Sequence, residues 1–213
     1  MIVIIFGPQG SGKGTQAELI AQKTGMLAFS MGDALRHEVH QKTAIGMQVE
    51  SIMVKGELVP PQITNDILSK VVNSPAAEKG IIIDGYPRNQ EQLEFYSKNF
   101  HTDYAFELDL SEEESIKRIS TRRVCPKCSH NYNIVSLTPK VEGKCDMCQV
   151  DLEQREDDKP AEVKRRLEIY NKNTLPMKEY YEKLGVLHII DSSGSIEEVN
   201  NKIMDVLKGV LKN

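Results

Sequence analysis

Apolar residues along this chain form short continuous runs, and between the runs they recur at helical spacing. Five runs of four to six residues end at glycine or polar residues, a pattern typical of strands buried on both faces. They cover residues 2–6, 27–30, 80–84, 105–110 and 186–190. Helical patterns cover residues 16–24, 62–73, 111–122, 160–184 and 196–211. Strands that alternate with helices predict an α/β fold, a doubly wound parallel five-stranded sheet covered on both faces.

The carboxyl ends of the predicted strands carry polar residues or glycine. Gly7, Ser30, Asp84, Asp109 and Asp191 all fall at or beside such ends. Ligands of open α/β sheets bind in the crevice outside these ends. The common placement therefore predicts a single ligand site along one edge of the sheet.

Two segments interrupt the alternation and predict flaps mounted on the sheet domain. Residues 31 to about 60 are helical and polar, and residues 123 to about 158 contain all four cysteines with only short alternating stretches. Each segment is too short to bury much of a core alone. We therefore expect a core domain of residues 1–29, 61–121 and 159–213, a first flap of residues 30–60 and a second flap, or lid, of residues 122–158.

A glycine-rich turn directly follows the first predicted strand. It reads GPQGSGKGT over residues 7–15, and a helical pattern begins at its end. Glycines let the backbone wrap a polyphosphate, and successive N–H groups at a helix N-terminus stabilise its negative charge. The predicted phosphate ligands are Gly10, Ser11, Gly12, Lys13, Gly14 and Thr15. With a strand before it and a helix after it, this P-loop predicts a nucleotide site.

The residue after Lys13 is unusual for a P-loop. It is Gly14, where the common motif has a serine or threonine whose hydroxyl binds Mg²⁺. Lys13 can still reach the β- and γ-phosphates as a mobile point charge. A Mg²⁺ ion bound with ATP must then be held by the phosphates, water and a carboxylate from elsewhere. Asp84, at a strand end, is the first candidate for this carboxylate, and Asp33 is the second.

The four cysteines form two pairs, Cys125 with Cys128 and Cys145 with Cys148. Two CxxC pairs separated by 16 residues are typical of a tetrahedral zinc site, in which each pair supplies two thiolates. Two disulfides and an iron–sulfur cluster are the alternatives, and disulfides are disfavoured in a chain without a secretory signal. Four thiolates would close the coordination sphere, so we expect a structural Zn²⁺ that replaces the missing core of this short segment.

Composition disfavours two classes of partner. The chain has 213 residues and a net charge of −4, which argues against a nucleic-acid-binding surface as its main feature. No apolar stretch approaches the length of a membrane span, and the N-terminal segment is strand-like, without a basic leader. We therefore expect a cytoplasmic protein with neither a membrane nor a nucleic acid as partner.

Four further motifs, in order along the chain, resemble those of the adenylate kinase family. They are SMGDALR at 30–36, DGYPR at 84–88 followed by Gln92, Arg118 with Arg122, and REDD at 155–158 followed by Arg166. Together with GKGT in the P-loop, they make the resemblance extend over essentially the whole chain. The family implies a reversible, Mg²⁺-dependent transfer of a phosphoryl group from ATP to AMP, giving two ADP, most often by a monomer.

The resemblance assigns the phosphates to named cations. Arg36 and Arg88 would hold the α-phosphate of the acceptor, since a planar guanidinium binds two phosphate oxygens at once. The donor phosphates and the transferring group would be surrounded by Lys13, Arg122, Arg155 and Arg166. The expected catalytic residues are therefore these four cations and Arg88, together with Asp84 as the ligand of the metal ion.

The resemblance also assigns the two bases. Arg118 would stack on the donor adenine, and Gln92 would read the acceptor base. The expected acceptor site further contains Ser30, Met31, Glu57, Val59 and Gly85, together with Arg155 and Arg166.

Three positions depart from the family pattern. Gln9 stands where proline is usual, Met31 where threonine is usual, and Pro61 where aspartate is common. Because Met31 removes a hydroxyl beside the acceptor base, a nucleoside monophosphate kinase of different or broader base preference remains an alternative. A zinc-ribbon nucleic-acid-binding P-loop NTPase is a more distant one. Arg123 and Arg165, each beside an assigned arginine, are expected to be solvated or salt-bridging only.

Overall fold

The computed structural model describes residues 1–208, in which strands and helices alternate as predicted. The strands are β1 (Ile2–Phe6), β2 (Leu27–Ser30), β3 (Ile81–Asp84), β4 (Tyr104–Asp109), β5 (Arg122–Val124), β6 (Asn131–Asn133) and β7 (Leu187–Asp191). The helices are α1 (Lys13–Thr24), α2 (Met31–His40), α3 (Ala44–Val54), α4 (Pro61–Val72), α5 (Gln90–Asn99), α6 (Glu112–Ser120), α7 (Pro160–Ile169), α8 (Lys178–Lys183) and α9 (Ile196–Leu207). Among residues 1–208, no helix combines the length and the apolar composition needed to cross a membrane.

Five strands form one parallel sheet in the order β2-β3-β1-β4-β7. This order confirms the predicted doubly wound sheet, because the chain starts at the centre and later strands add on both sides. The bounds of these strands agree with the predicted runs to within one residue at each end. The part of the last predicted helix beyond residue 208 lies outside the described range.

The central strand β1 contributes side chains to two hydrophobic cores, one on each face of the sheet. Ile2, Ile4 and Phe6 pack on one face of the sheet, and Val3 and Ile5 pack on the other, because side chains alternate along a strand. Side chains from α4, α5 and α8 cover the first face, and side chains from α1 and α9 cover the second. Since both faces are covered, a ligand can approach the sheet at the carboxyl ends of the strands.

The prediction of one continuous helix over residues 160–184 is wrong. The helix α7 ends at Ile169, a π-helical turn follows over Tyr170–Thr174, and a 3-10 turn over Leu175–Met177 leads into α8. Pro176 lies in this break. Its ring removes a backbone N–H and clashes with the carbonyl of the preceding turn, so the helix cannot pass through it unchanged.

Two further elements differ from the sequence prediction. The helix α6 ends at Ser120, before the predicted end at residue 122, because Arg122–Val124 pairs with β6 as an antiparallel ribbon. The helix α5 was not among the predicted helices. Its N-terminus is capped by Asn89, whose side-chain oxygen accepts the backbone N–H of Gln92 at 2.9 Å.

The helices α2 and α3 of the first inserted segment meet at Gly46. The side chain of Thr43 caps α3 by accepting the backbone N–H of Gly46 at 3.0 Å. A Cβ at position 46 would overlap the carbonyl oxygen of Glu38 and lie 2.7 Å from the backbone nitrogen of Val39, both in α2. The close crossing of the two helices therefore requires glycine here.

We expect Gly46→Ala to lower the melting temperature, because forcing a methyl group against a backbone destabilises by about 1–3 kcal/mol. Ser51→Ala, on the exposed side of the same helix, is the matched control and should leave the melting temperature nearly unchanged. Thermal unfolding followed by circular dichroism measures both. Equal melting temperatures for the two variants would contradict the account of the α2–α3 contact.

Candidate active site

The P-loop connects β1 to α1, and its backbone requires glycine at particular positions. Gly12, directly before α1, has φ 89°, a left-handed conformation that glycine adopts without strain. A Cβ on Gly7 would lie 2.5 Å from the carbonyl oxygen of Leu108 in the neighbouring strand β4. Within the described chain, no side chain caps α1 and no acidic residue occupies its first turn. The positive end of the helix dipole is thus available to an anionic ligand.

Lys13 lies at the centre of this turn. Its Nζ donates hydrogen bonds to the carbonyl oxygens of Gly7 at 2.9 Å and Pro8 at 2.7 Å. Burial lowers the pKa of Lys13 to about 8, against the opposing effect of Asp84. The ammonium group is therefore a desolvated cation, for which a phosphate anion would be a favourable partner.

Asp84 lies beside the unusual glycine of the P-loop. Its Oδ2 is 3.6 Å from the position that a Cβ on Gly14 would occupy. A carboxylate thus lies in van der Waals contact with the position at which the serine or threonine side chain of a common P-loop would begin. Burial raises the pKa of Asp84, although Lys13 and Arg88 oppose the shift.

Asp33, the second candidate metal ligand, is instead paired with arginines. Its Oδ1 lies 2.5 Å from Arg36 and 3.5 Å from Arg155. Burial alone would raise the pKa of Asp33, but the two arginines lower it. The surroundings therefore make Asp33 a partner of cationic side chains, and they favour Asp84 as the carboxylate available to a metal ion.

One cavity of about 820 Å³ opens at the carboxyl ends of the strands. All the residues that the sequence analysis assigned to the nucleotides line it. They are Gly10, Ser11, Gly12, Lys13, Gly14, Thr15, Ser30, Met31, Asp33, Arg36, Glu57, Val59, Asp84, Gly85, Arg88, Gln92, Arg118, Arg122, Arg155 and Arg166. The fold thus brings residues from the core, the first flap and the lid to a single site.

Two arginines on one side of the cavity are held by polar groups of the protein. Arg36 bonds Asp33 through both Nε and Nη2. The Nε of Arg88 donates to the carbonyl oxygen of Gly85 at 2.7 Å, and its backbone carbonyl accepts from the hydroxyl of Thr174 at 2.9 Å. Each guanidinium is therefore oriented while it still lines the cavity.

Two further arginines share one buried carboxylate. Arg122 donates to both carboxylate oxygens of Asp158 through Nε and Nη2, and Arg166 lies 3.3 Å from the same carboxylate and 2.9 Å from that of Asp157. The side chain of Asp158 has 0% exposure. The sequence analysis missed this role, because it found no partner for either aspartate in the motif REDD.

Arg155 is a buried cation that is close to other arginines and has an unused hydrogen-bond donor. Burial, with repulsion from Arg36 and Arg122, lowers the pKa of Arg155 to about 9. Its Nη2 donates to Asn131 at 2.8 Å, but its buried Nε has no hydrogen-bond partner among the described residues. Burial also lowers the pKa of Arg166 to about 10. A polyanion in the cavity would offset the repulsion between these arginines and could accept a hydrogen bond from the Nε of Arg155.

Arg118 lies at another part of the cavity, against the loop that follows β7. It donates to Glu114 at 3.1 Å and to the backbone carbonyls of Ser192 at 3.0 Å and Ser193 at 3.1 Å. These contacts hold the guanidinium plane in a fixed position. The loop itself was not predicted as part of the site, although Asp191 at the end of β7 was a signal for it.

Several other lining residues were missed by sequence reasoning. They include Leu35, Met53, Thr64, Asn133, Val135, Leu137 and Thr174. Their residue types are common in cores and loops, so nothing in their spacing marks them as a site. Arg165, by contrast, forms an exposed ion pair with Glu57 at 2.6 Å, as a salt-bridging residue would.

The four cysteine sulfur atoms form a compact cluster in the lid. They all lie within 4.8 Å of one another, and the sulfurs of Cys128 and Cys145 are 3.7 Å apart. A tetrahedral ion with bonds of about 2.3 Å to sulfur needs sulfur–sulfur distances of about 3.8 Å. The cluster therefore fits one metal ion.

The two cysteine turns have the same backbone pattern. The N–H of Ser129 bonds the carbonyl of Cys125 at 2.9 Å, and the N–H of Gln149 bonds the carbonyl of Cys145 at 2.8 Å. Ser129 and Gln149 have φ of 60° and 56°, which non-glycine residues rarely adopt. Both turns thus present their cysteines in equivalent geometry, as paired metal-binding turns require.

Comparisons with known proteins agree with this arrangement. A family model described as adenylate kinase matches residues 5–186 of the chain. An adenylate kinase of Petrotoga mobilis is 40% identical over 217 residues, which cover 100% of both chains. One of Thermosipho melanesiensis is 38% identical over 98% of this chain and 100% of its own. One of Pyrococcus horikoshii is 39% identical over 97% of this chain and 96% of its own.

We expect Asp158→Ala to lower the free energy of unfolding by about 3 kcal/mol, because it leaves two largely buried arginines without their shared carboxylate. The control is Glu156→Ala, which removes an exposed ion pair with Lys159 in the same segment and should change stability by less than about 1 kcal/mol. Denaturant titration of both variants measures the difference. Losses of similar size would contradict the role given to Asp158.

Proposed function

The chain belongs to the adenylate kinase family, and we propose that its cation-lined cavity carries out the family's transfer of a phosphoryl group from ATP to AMP. The observation that carries this assignment is the convergence on that cavity of the six cationic side chains that the family motifs assign to the phosphates. They are Lys13, Arg36, Arg88, Arg122, Arg155 and Arg166. Bringing two polyanionic nucleotides together requires such a concentration of positive charge.

On the acceptor side, Arg36 and Arg88 bind the α-phosphate of AMP. Both guanidinium groups line the cavity, and each has a protein partner that sets its orientation. Apolar side chains, Met31 and Val59 among them, and the buried amide of Gln92 surround the acceptor base. Ser30, Glu57 and Gly85 complete this side of the cavity.

On the donor side, the P-loop binds the phosphates of ATP. Backbone N–H groups of residues 10–15 and the ammonium of Lys13 are the donors, supported by the dipole of α1. Arg118 stacks on the adenine, because its guanidinium plane is held by Glu114 and two backbone carbonyls. Arg122 lies close to the phosphates through its bidentate contact with Asp158.

Phosphoryl transfer itself needs no covalent nucleophile of the protein, because the acceptor phosphate oxygen is already anionic. Catalysis consists of positioning and of stabilising the charge that develops on the transferring oxygens. Arg155 and Arg166 contact this group together with Lys13, Arg88 and Arg122. The unpartnered Nε of Arg155 is a donor that a phosphate oxygen would accept.

Asp84 holds the Mg²⁺ that accompanies ATP. Its carboxylate lies beside Gly14, close to where the missing P-loop hydroxyl would be, so it would supply an oxygen ligand there. The ion, when bound, neutralises charge on the phosphate oxygens.

The two flaps exclude water, which would otherwise compete with AMP as acceptor. We assign residues 30–60 to the acceptor flap, residues 122–158 to the lid, and 1–29, 61–121 and 159–213 to the core. Arg155 of the lid contacts Asp33 of the acceptor flap at 3.5 Å, so both flaps must be in place to complete the cation cluster.

The lid carries a structural Zn²⁺ bound by Cys125, Cys128, Cys145 and Cys148. The compact sulfur cluster and the two matching turns support a single tetrahedral ion. The lid has little apolar core of its own, with Tyr132 and two of the cysteines as its buried cluster. The metal therefore replaces the hydrophobic core.

A second candidate function is transfer to a different or broader set of nucleoside monophosphates. The observation that favours it is the buried side chain of Met31, which lines the cavity and offers no hydroxyl to a base. On the same premise of family membership, we propose a cytoplasmic monomer that binds neither nucleic acid nor membrane, in keeping with the net charge of −4.

The test of the reaction is a scan of acceptors with ATP and Mg²⁺, in which the products are separated by chromatography. We expect two ADP formed for each AMP consumed, little turnover without an acceptor, and a fall in turnover of at least about 10³-fold for Arg88→Ala. The control is Arg123→Ala, whose side chain donates to backbone carbonyls and does not line the cavity.

Near-normal turnover of Arg88→Ala would contradict the role assigned to that residue. Strong transfer to another monophosphate would instead support the second candidate function. Rapid hydrolysis of ATP without any acceptor would contradict the role of the flaps.

We expect removal of the lid metal to lower the melting temperature, while turnover at low temperature changes less, because the ion stabilises the lid without touching substrate. The protein is treated with a strong chelator, loss of metal is verified by elemental analysis, and zinc is added back as the control. A melting curve that stays unchanged after verified metal loss would rule out a structural ion.

A further inference from the structure

Gln92, in the first turn of α5, is held by hydrogen bonds at its backbone. Its N–H donates to Asn89, and its carbonyl accepts from the hydroxyl of Tyr86 at 3.2 Å. The single hydrogen of that hydroxyl is shared between this carbonyl and the side-chain oxygen of Asn65 in α4, which lies nearer, at 2.6 Å. The residue is 2% exposed and lines the cavity, so its position is set by both α4 and α5.

The side-chain amide of Gln92 is held at both ends by groups of opposite polarity. Its Oε1 accepts the backbone N–H of Arg88 at 2.7 Å, and its Nε2 donates to the hydroxyl of Thr64 at 3.0 Å. The Thr64 hydroxyl donates its own hydrogen to the carbonyl of Pro61 at 3.0 Å. It can therefore only accept from Gln92, just as a backbone N–H can only donate. These two partners decide which end of the amide is oxygen and which is nitrogen.

This orientation matters because a glutamine amide can complement two kinds of purine. Adenine presents an amino donor beside a ring-nitrogen acceptor, whereas a 6-oxopurine presents a carbonyl acceptor beside a ring N–H donor. An amide that matches one of these edges must turn over to match the other. An amide that is locked in one orientation therefore selects between adenine and a 6-oxopurine, whereas an amide that is free to turn over does not.

We propose that Thr64 is a positioning residue that, together with the backbone N–H of Arg88, locks the amide of Gln92 and so strengthens the preference of the acceptor site for adenine over 6-oxopurines. The inference rests on the proposed function, in which Gln92 faces the acceptor base. Thr64 is 3% exposed and lines the same cavity as Gln92. Met31 supplies no hydroxyl, so the locked amide of Gln92 becomes more important for reading the base.

The test compares Thr64→Val, which keeps the shape but removes the hydroxyl, with Thr64→Ser, which keeps the hydroxyl. Steady-state kinetics are measured with AMP and with IMP, the corresponding 6-oxopurine nucleotide. We expect Thr64→Val to lower the AMP-to-IMP ratio of kcat/KM by roughly three- to tenfold, the effect of one net hydrogen bond. The change should come mainly from a higher KM for AMP, with the KM for ATP unchanged, and Thr64→Ser should restore most of the ratio.

An unchanged ratio in Thr64→Val, or an equal loss in Thr64→Ser, would overturn the inference. Thr64→Ala removes the same hydroxyl without the β-branch and supplies the measurement if the valine variant does not fold. The variant Gln92→Leu tests the role of Gln92 in the acceptor site separately from its orientation by Thr64. If it impairs the use of AMP while Thr64→Val changes nothing, only the lock is wrong. If it leaves the use of AMP unchanged, the acceptor-site assignment fails and the lock fails with it.

Discussion

Repulsion between buried cations is the constraint on which the rest of this structure depends. Lys13, Arg155 and Arg166 all have pKa values lowered by burial, and further arginines surround them. A folded chain can hold such a cluster only if carboxylates offset part of the charge. Asp33 and Asp158 do so by pairing with the arginines nearest to them. These pairs also orient each guanidinium, so the groups that stabilise the folded protein are the same groups that prepare the site for a polyanion.

The architecture distributes this charge over separate parts of the molecule. Lys13 belongs to the start of α1 and Arg88 to the loop after β3, whereas Arg36 lies on the acceptor flap and Arg155 on the lid. The parallel sheet supplies a rigid edge at which the core residues meet. Arg166 lies on α7, whereas Arg36, Arg122 and Arg155 are carried by small inserted segments, so the cluster is complete only when those segments lie over the edge. In the proposed reaction this arrangement would favour transfer to the second nucleotide, because the assembled cluster would exclude water as a competing acceptor.

The lid is a short segment with little hydrophobic core of its own. Its strands β5 and β6 form a ribbon of three residues each, which is marginal alone. The cysteine cluster brings two turns together at the end of that ribbon, and a metal ion bound there would fix them to each other. Arg122 begins β5, and the ribbon also pairs through Val124 with Glu153, close to Arg155. The fold of this segment therefore sets the positions of two arginines of the site.

The sequence by itself determined the sheet, the P-loop and the cysteine cluster, because each depends on local pattern, and the family resemblance of its motifs predicted a set of residues that all line the same cavity. Strands buried on both faces appear as apolar runs, and the GKGT turn, the CxxC pairs and the motif DGYPR have fixed spacing. What only the tertiary structure decided is which side chains become partners across long separations. Asp158 with Arg122, Asp84 beside Gly14, and Thr64 with Gln92 are such pairs. The contact at Gly46 belongs to the same class, whereas the break after Ile169 has a local signal in Pro176. The residue types in these pairs are ordinary, and their roles arise only when packing brings separate segments into contact, which no local pattern records.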